Sequence, residues 1–424
     1  MAEHLIGLLL GTEDDWPTAF EQIVERLPAV RHGGETHTFR TERVANEPFD
    51  LRYSPRYSLV IDRLSWWYHL PREWLKKISL MDDVYLLNNP FTFQAMEKHA
   101  AYCAMIRLGL KVPPTWLIPH KQPPKSVRFA SATERFEDMA SRYNSPFDLE
   151  AIGEMVGYPL YMKPFDGGQW VGVTRIEGPE ELRRGYDGSG ERLMHLQQAV
   201  DFDVFVRSLS IGPETMVMHY EPDRPLHDRY QVSHDFLSDA LGAEVVTISR
   251  LVNAFFRWEF NSCETLIRGD EVFPIDYANA SPDVALTSLH YYFPWAMTAL
   301  VRWSAFCAVT RRPMRINQDT RAYFDIGDRP DLGYDEKLAE YRRLADDYFQ
   351  DEAYRAFSAE QLAPLDDIVL DYIESREFDS LLVETVRSTF PAHEHEHFAA
   401  HYRGLLAAWA VDRRKAVASM PGAA

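Results

Sequence analysis

The stretch that decides the fold of this chain is EVFPIDYANASPD, residues 271–283. Val272, Phe273 and Ile275 form an apolar run that predicts a short buried strand, and the Asn-Ala-Ser-Pro that follows is turn chemistry. A strand that closes on Asp276 and Asn279 presents oxygen ligands at its end. Glu264 lies 276 − 264 = 12 residues earlier, with Arg268-Gly269-Asp270 as a turn between them. That spacing predicts a hairpin bringing two carboxylates and an amide to one surface. Hard oxygen donors of this kind suit Mg²⁺ that shares its shell with phosphates, and suit zinc or copper poorly. A solvated hairpin with surface acids has the same spacing, so the decision falls to what accompanies it.

What accompanies it is EAIGEMVGYPLYMKPFDGGQWVGVTRI, residues 150–176. It predicts a helix, a tight turn at Gly157-Tyr158-Pro159, a strand carrying Lys163, a Gly-containing loop and a returning strand. A lysine at the mouth of such a loop, with backbone N–H groups beside it, can cradle phosphates. Upstream, Leu5–Leu10 and the helical TAFEQIVERL form a β-α unit, and Tyr57–Asp62 and DVYLLNN supply two more strands. Strands alternating with helices predict a parallel α/β sheet over about the first ninety residues. The helix FTFQAMEKHAAYCAMIRLGL and the proline-led strand KVPPTWLIP come next, and a polar stretch from His120 to Pro146 reads as a surface excursion or lid.

Composition excludes several classes. A net charge of −19 and a pI near 5.2 argue against a nucleic-acid or anionic-membrane partner, which needs a basic face. Cys103, Cys263 and Cys307 are too scattered for a disulfide framework or a paired-cysteine zinc site, and they fit a reducing cytoplasm. The N-terminal MAEHLIGLLLGTEDDW lacks the basic flank of a secretion signal and reads as a first strand. The apolar YYFPWAMTALVRWSAFCAVT carries Arg302 near its middle and predicts a buried helix, because a charge at the centre of a bilayer span is costly. GLLLGTEDDW also lacks the Gly-x-Gly-x-x-Gly fingerprint of a dinucleotide oxidoreductase.

The order of a helix lysine, a P-x-T strand, KPFDGGQWVGV, LQQAV, DVFVR, an acid, twelve residues and DYANASP resembles the ATP-grasp superfamily. Within it the chain looks like carboxylate-amine ligases of the glutathione synthetase and ribosomal-protein glutamate ligase type, over residues 1 to about 290. The resemblance implies an α/β (α+β ATP-grasp) fold. Its parts would be an N-terminal parallel α/β domain (1–92), a first ATP-grasp lobe (93–160), a second lobe with phosphate loop and metal site (161–290), and a helical C-terminal extension (291–424).

Carried over residue by residue, the resemblance assigns Lys98 and Lys163 to the nucleotide phosphates, and Gly167, Gly168 and Gly172 to the loop that covers them. Main-chain groups of Gln198 and Val200 would read adenine, and Asp203 would bind the ribose hydroxyls. Glu264, Asp276 and Asn279 would hold Mg²⁺, with Mn²⁺ able to replace it, and Arg229 would face the transferred phosphate or the acyl substrate as a catalytic cation beside Lys163. The implied reaction joins a small-molecule carboxylate to an amine through an acyl phosphate, releasing ADP and phosphate. A small-molecule kinase and a nucleotide-binding protein without turnover remain open on the same residues.

Two departures stand out. The family's last two ligands usually form an acid-x-Asn pair, whereas Asp276 and Asn279 have two residues between them, so the strand is expected to bulge or one ligand to bind through water. Trp170 stands at a loop position that is often glycine. Arg63 can serve as a carboxylate clamp or simply pair with Asp62, and Trp66, Trp67, Tyr68 and Trp74 can line a pocket or fill a core. After residue 290, amphipathic helices follow that can pack on the core, form a homodimer surface or roof the active site. His393, His395, His397 and His401 there read as an ordinary acidic helix start rather than a second metal site.

Overall fold

The computed structural model of the chain describes residues 1–122, 146–166, 168, 170–279 and 281–418. Most of the expected lid, 123–145, and Gly167 lie outside the described residues. Down the chain run β1 (Ala2–Leu9), α1 (Asp15–Glu25), β2 (Val30–His32), β3 (Glu35–Arg43), β4 (Leu59–Asp62), α2 (His69–Met81) and β5 (Tyr85–Leu87). Then come α3 (Lys98–Arg107), β6 (Thr115–Ile118), α4 (Leu149–Val156), β7 (Leu160–Pro164), β8 (Thr174–Ile176), α5 (Pro179–Ser189) and β9 (Met194–Gln198). They are followed by β10 (Val204–Ile211), β11 (Glu214–Tyr220), β12 (Tyr230–Gln231), α6 (Asp239–Phe256), β13 (Phe260–Arg268), β14 (Glu271–Asp276) and α7 (Phe293–Val309). A helical region closes the chain: α8 (Arg321–Gly327), α9 (Tyr334–Phe349), α10 (Asp351–Gln361), α11 (Leu365–Ile373), α12 (Arg376–Thr389) and α13 (His395–Ala418). The protein is mixed α/β, in two units: 1–93 with 205–263 and 280–424, and 94–204 with 264–279.

In the first unit a five-stranded sheet has the order β2-β3-β1-β4-β5. β1 runs parallel to β3 and β4, and β4 parallel to β5, as the alternation of strands and helices predicts. The antiparallel β2–β3 hairpin is an addition to that expectation. Its turn is Gly33-Gly34, both at positive φ (59° and 80°), the backbone a two-residue hairpin needs. α1 buries Trp16, Phe20, Ile23 and Val24 at helical spacing, and Leu75 and Ile78 of α2 pack with Leu9, Val60, Val84 and Leu86. α7 is buried nearly all round, and Arg302 on it is tied to Glu214 (2.8 Å) and Asp366 (3.3 Å). Among the described residues no helix is long and apolar enough to cross a membrane.

A carboxylate, Glu259, is buried in the core of this unit and only 4% exposed. It accepts hydrogen bonds from the hydroxyls of Tyr85 (2.6 Å) and Tyr348 (2.7 Å) and from Trp303 Nε1 (3.0 Å), with the Arg312 guanidinium at 3.5 Å. Asn88, at the end of the DVYLLNN run, completes the network by accepting from the N–H groups of Glu259 (2.7 Å) and Phe260 (2.8 Å). A buried charge is tolerated only when paired and fully hydrogen-bonded, and here each contact comes from a different element.

The second unit holds a four-stranded antiparallel sheet, β6-β9-β7-β8, and the β13–β14 hairpin. Ile152 and Val156 of α4, Leu182 of α5, and Leu160, Met162, Ile176, Met194 and Leu196 from the strands form its core. The helical pattern from Ala359 to Ser375 is two helices, because Pro364 lacks the N–H a continuous helix needs.

Glu259→Ala strips three donors and Arg312 of their shared acceptor. Urea unfolding should show a loss of about 3–5 kcal/mol, against less than about 1 kcal/mol for an exposed acid such as Glu352→Ala.

Candidate functional site

The hairpin read from residues 264–276 is present, and it places Glu264 and Asp276 directly opposite each other in register. Its turn is tight, with Arg268 paired to Glu271 and Gly269 at φ 55°. A bulge is also there, one residue before Asp276 rather than after it. Thr265 pairs with Pro274 and Glu264 with Asp276, so Ile275 has no opposite number. Since strand side chains alternate faces, this extra residue is what turns Asp276 to the face of Glu264. Asn279, half-buried, follows three residues on. Among the described residues no three His, Cys, Asp or Glu side chains form a metal-binding group. Two facing carboxylates with an amide close by are the hard-oxygen donor set that Mg²⁺ uses when phosphates complete its shell, so these residues fit that ion.

Two lysines meet this hairpin. Lys98, the first residue of α3 and 9% exposed, sets its Nζ 2.5 Å from Asp276 Oδ2. Burial opposes its charge, but Asp276 and then Glu264 outweigh it, and the ammonium is held above the usual lysine range. Lys163, on β7 and 8% exposed, donates to Gln197 Oε1 at 2.6 Å and lies 5.7 Å from the centre of the Tyr102 ring. Burial, then repulsion from Lys98, brings its pKa down to about 8 against the pull of Asp276 and Glu264. Both lysines thus share a field with both acids.

Three neighbours escaped the sequence reading. Tyr102 sits one helical turn after Lys98 on α3, and its hydroxyl donates to the Ile275 carbonyl at 2.9 Å. The only cue in the sequence was that i, i+4 spacing. Gln197 anchors Lys163 and donates to Thr115 Oγ1 at 2.8 Å. His195, opposite Lys163 on β9 and 1% exposed, has no hydrogen-bond partner on either ring nitrogen among the described residues. Burial, then His99, Lys163 and Lys98, pushes its pKa to about 3, so it stays neutral beside the ammoniums.

At the other end of this sheet, Gln198, Ala199 and Val200 line a pocket of about 590 Å³ with Phe273, Arg268 and Lys111. The Gln198 N–H is already given to the Pro114 carbonyl (2.9 Å), and the Ala199 N–H to the Pro159 carbonyl (3.0 Å). Asp203 is exposed and accepts the Gly269 N–H at 2.8 Å. In the loop between β7 and β8, Gly172 has φ 77° and a Cβ there would meet the end of the Arg192 side chain, whereas Gly168 has open space and no positive φ. Trp170 holds φ 62°, a left-handed conformation that glycine adopts at no cost.

Arg229 belongs to the first unit, where its Nε donates to the Arg224 carbonyl at 2.9 Å. Arg63 is engaged by Glu13 (2.9 Å) and the Pro282 carbonyl (2.5 Å) rather than by Asp62, so its fork is occupied. Trp67 and Tyr68 are exposed and fill no core. His395 is bonded to the Phe390 carbonyl, with His393 and His397 exposed around it.

The resemblance to ATP-grasp proteins is met again among solved structures. The chain is similar to a RimK domain ATP-grasp protein from Sphaerobacter thermophilus (12% identity, TM-score 0.43, covering 70% of this chain and 97% of that one). It is similar to a D-alanine–D-alanine ligase from Bacillus anthracis complexed with ATP (11%, 0.46, 82% and 99%). It is also similar to the macrocyclase MdnC from Microcystis aeruginosa bound with precursor peptide MdnA (14%, 0.44, 71% and 98%). No family model and no curated protein matches. Identities this low leave the chemistry to be read from the chain's own residues.

Lys163 carries its proton below about pH 8 and sheds it above. Nucleotide affinity, followed by titration calorimetry, should weaken as pH rises through that value, and Lys163→Met should bind weakly at every pH. Folding responds in the opposite direction. An unfolded lysine stays protonated to about 10.5, so between about 8 and 10.5 the unfolded state binds the extra proton and stability gains with pH. That gain, measured as the difference between wild type and Lys163→Met in urea unfolding, should vanish below pH 8.

Proposed function

We propose that the chain is an ATP- and Mg²⁺-dependent carboxylate–amine ligase that works through an acyl phosphate and releases ADP and phosphate. The observation that carries this reading is the single charge cluster of Lys98, Lys163, Asp276 and Glu264, assembled from α3, β7, β13 and β14. Phosphoryl transfer needs little covalent chemistry from a protein; it needs cations fixed along the path of migrating charge and ligands for a metal that bridges phosphate oxygens. The cluster has both.

A carboxylate is a poor electrophile at neutral pH. Transfer of the γ-phosphoryl group to its oxygen gives an acyl phosphate, breaking the bond to ADP, and an amine then attacks the acyl carbon and expels phosphate. Lys98 and Lys163 offset the charge that moves from the acid to the leaving ADP. Lys98 gives up Asp276 for a phosphate oxygen as the nucleotide arrives. Mg²⁺ held by Glu264, Asp276 and Asn279 would neutralise phosphate charge at the same place. The 590 Å³ pocket, with the Phe273 ring and the main chain of 198–200, fits a purine base, and Asp203 at its rim would meet the ribose. Gly168, Trp170 and Gly172, with Gly167, form the loop that excludes water from the acyl phosphate, which hydrolyses readily. Three free cysteines agree with a cytoplasmic setting.

Supplied with ATP, Mg²⁺, a carboxyl-¹⁸O-labelled acid and an amine, the protein should release inorganic phosphate carrying one labelled oxygen for each amide formed. Label in AMP would mean adenylation, and a phosphorylated product with no dependence on amine would mean a kinase.

A further inference from the structure

The bulge at Ile275 poses a problem of register. An unmatched residue in an antiparallel pair leaves its backbone groups outside the ladder, and the two residues after it can slip back by one. A slip of one residue would turn Asp276 to the opposite face, away from Glu264. Something has to hold the extra residue in place, and the observed contact on it is the Tyr102 hydroxyl, 2.9 Å from the Ile275 carbonyl.

Tyr102 is suited to that task. It is 2% exposed, and its ring is fixed edge-on by His195 (5.4 Å) and Tyr277 (5.8 Å), so the hydroxyl has little freedom. It stands four residues after Lys98, so one turn of α3 delivers two contacts to consecutive residues of β14: Tyr102 to Ile275 and Lys98 to Asp276. The lysine contact is exchangeable, because phosphate competes for the ammonium. The tyrosine contact is neutral, buried and made to a main-chain carbonyl, and nothing in the nucleotide competes for it. When Lys98 leaves Asp276, Tyr102 is what still holds the end of β14 to α3.

We propose that Tyr102 is a positioning residue for the metal site: by fixing the Ile275 bulge it keeps Asp276 facing Glu264 during the exchange of Lys98 from carboxylate to phosphate. The proposal rests on the reading of Glu264 and Asp276 as metal ligands. It assigns to Tyr102 an effect on metal binding that is separable from nucleotide binding, since the 198–200 segment does not meet the hydroxyl and Gln197, which does, holds Lys163 through its amide oxygen.

Tyr102→Phe removes one oxygen and keeps the ring. Mn²⁺ affinity would be measured by electron paramagnetic resonance on protein saturated with a non-hydrolysable ATP analogue, and analogue affinity separately in EDTA. Outer-shell partners of metal ligands typically contribute a factor of about 10–100 in metal affinity, so Mn²⁺ binding should weaken at least about tenfold while analogue affinity in EDTA stays within about twofold. Unchanged Mn²⁺ affinity, or an equal loss of Mn²⁺ and analogue binding, would overturn the assignment, as would a variant that no longer folds, since that makes Tyr102 a core residue. Glu264→Gln serves as the control. If it too leaves Mn²⁺ affinity unchanged, the metal reading itself fails; if it abolishes binding while Tyr102→Phe does not, only the role of Tyr102 falls.

Discussion

Two buried ammonium groups set the terms for the second unit. Moving an ammonium out of water costs several kcal/mol after relaxation, and Lys98 and Lys163 are both more than nine-tenths buried. Lys98 offsets that cost with Asp276 at 2.5 Å; Lys163 has only the neutral Gln197 oxygen and a pKa brought down to about 8. The facing acids have the complementary difficulty, since two carboxylates in register repel unless a cation stands near. Each pair makes the other tolerable. The cluster is close to neutral as it stands. On the proposed function, a divalent cation entering with the nucleotide would cancel part of the charge that the nucleotide brings.

The loop around Trp170 carries a different constraint. A non-glycine residue in the left-handed region costs roughly 1–2 kcal/mol, and Trp170 adopts φ 62° with its ring 6.4 Å from Tyr161. The backbone here is shaped for the loop as a whole and not for the residue that occupies it. Large and partly exposed, the indole gives the loop an apolar surface that glycine would not. On the proposed function, a loop that keeps water from an acyl phosphate would gain from such a surface, at that backbone cost.

What could be read from the sequence follows a physical division. Glu264, Asp276 and their turn were legible because a short hairpin fixes its own register through local spacing, and the parallel strands of the first ninety residues were legible because alternating apolar runs report burial directly. The location of the bulge was not, since the contact made to its Ile275 carbonyl comes from Tyr102, which lies 173 residues away along the chain. Glu259 looked like any other acid, because its partners Tyr85, Trp303 and Tyr348 come from three distant segments. The β2–β3 hairpin was missed although Gly33-Gly34 is a strong turn signal, because its strands, rich in Arg, Thr and His, lack an apolar face. Local chemistry shows in sequence; long-range satisfaction of buried polar groups does not.

The charge of the whole chain adds a last step. At −19 the protein repels an anionic nucleotide at a distance, yet the proposed function brings one to its buried lysines. The two effects act over different ranges. Beyond a Debye length of about 8 Å at physiological salt the diffuse negative field is screened, while an ammonium about 4 Å from a phosphate oxygen contributes about 4 kcal/mol at an effective dielectric constant near 20. Contact therefore wins over the field, and a nucleotide that arrives with part of its charge already cancelled by a divalent cation meets less of that field on the way in. On the proposed function, the acidic surface would thus favour the metal-bound form of the nucleotide, which brings less negative charge to the facing acids than the free nucleotide does.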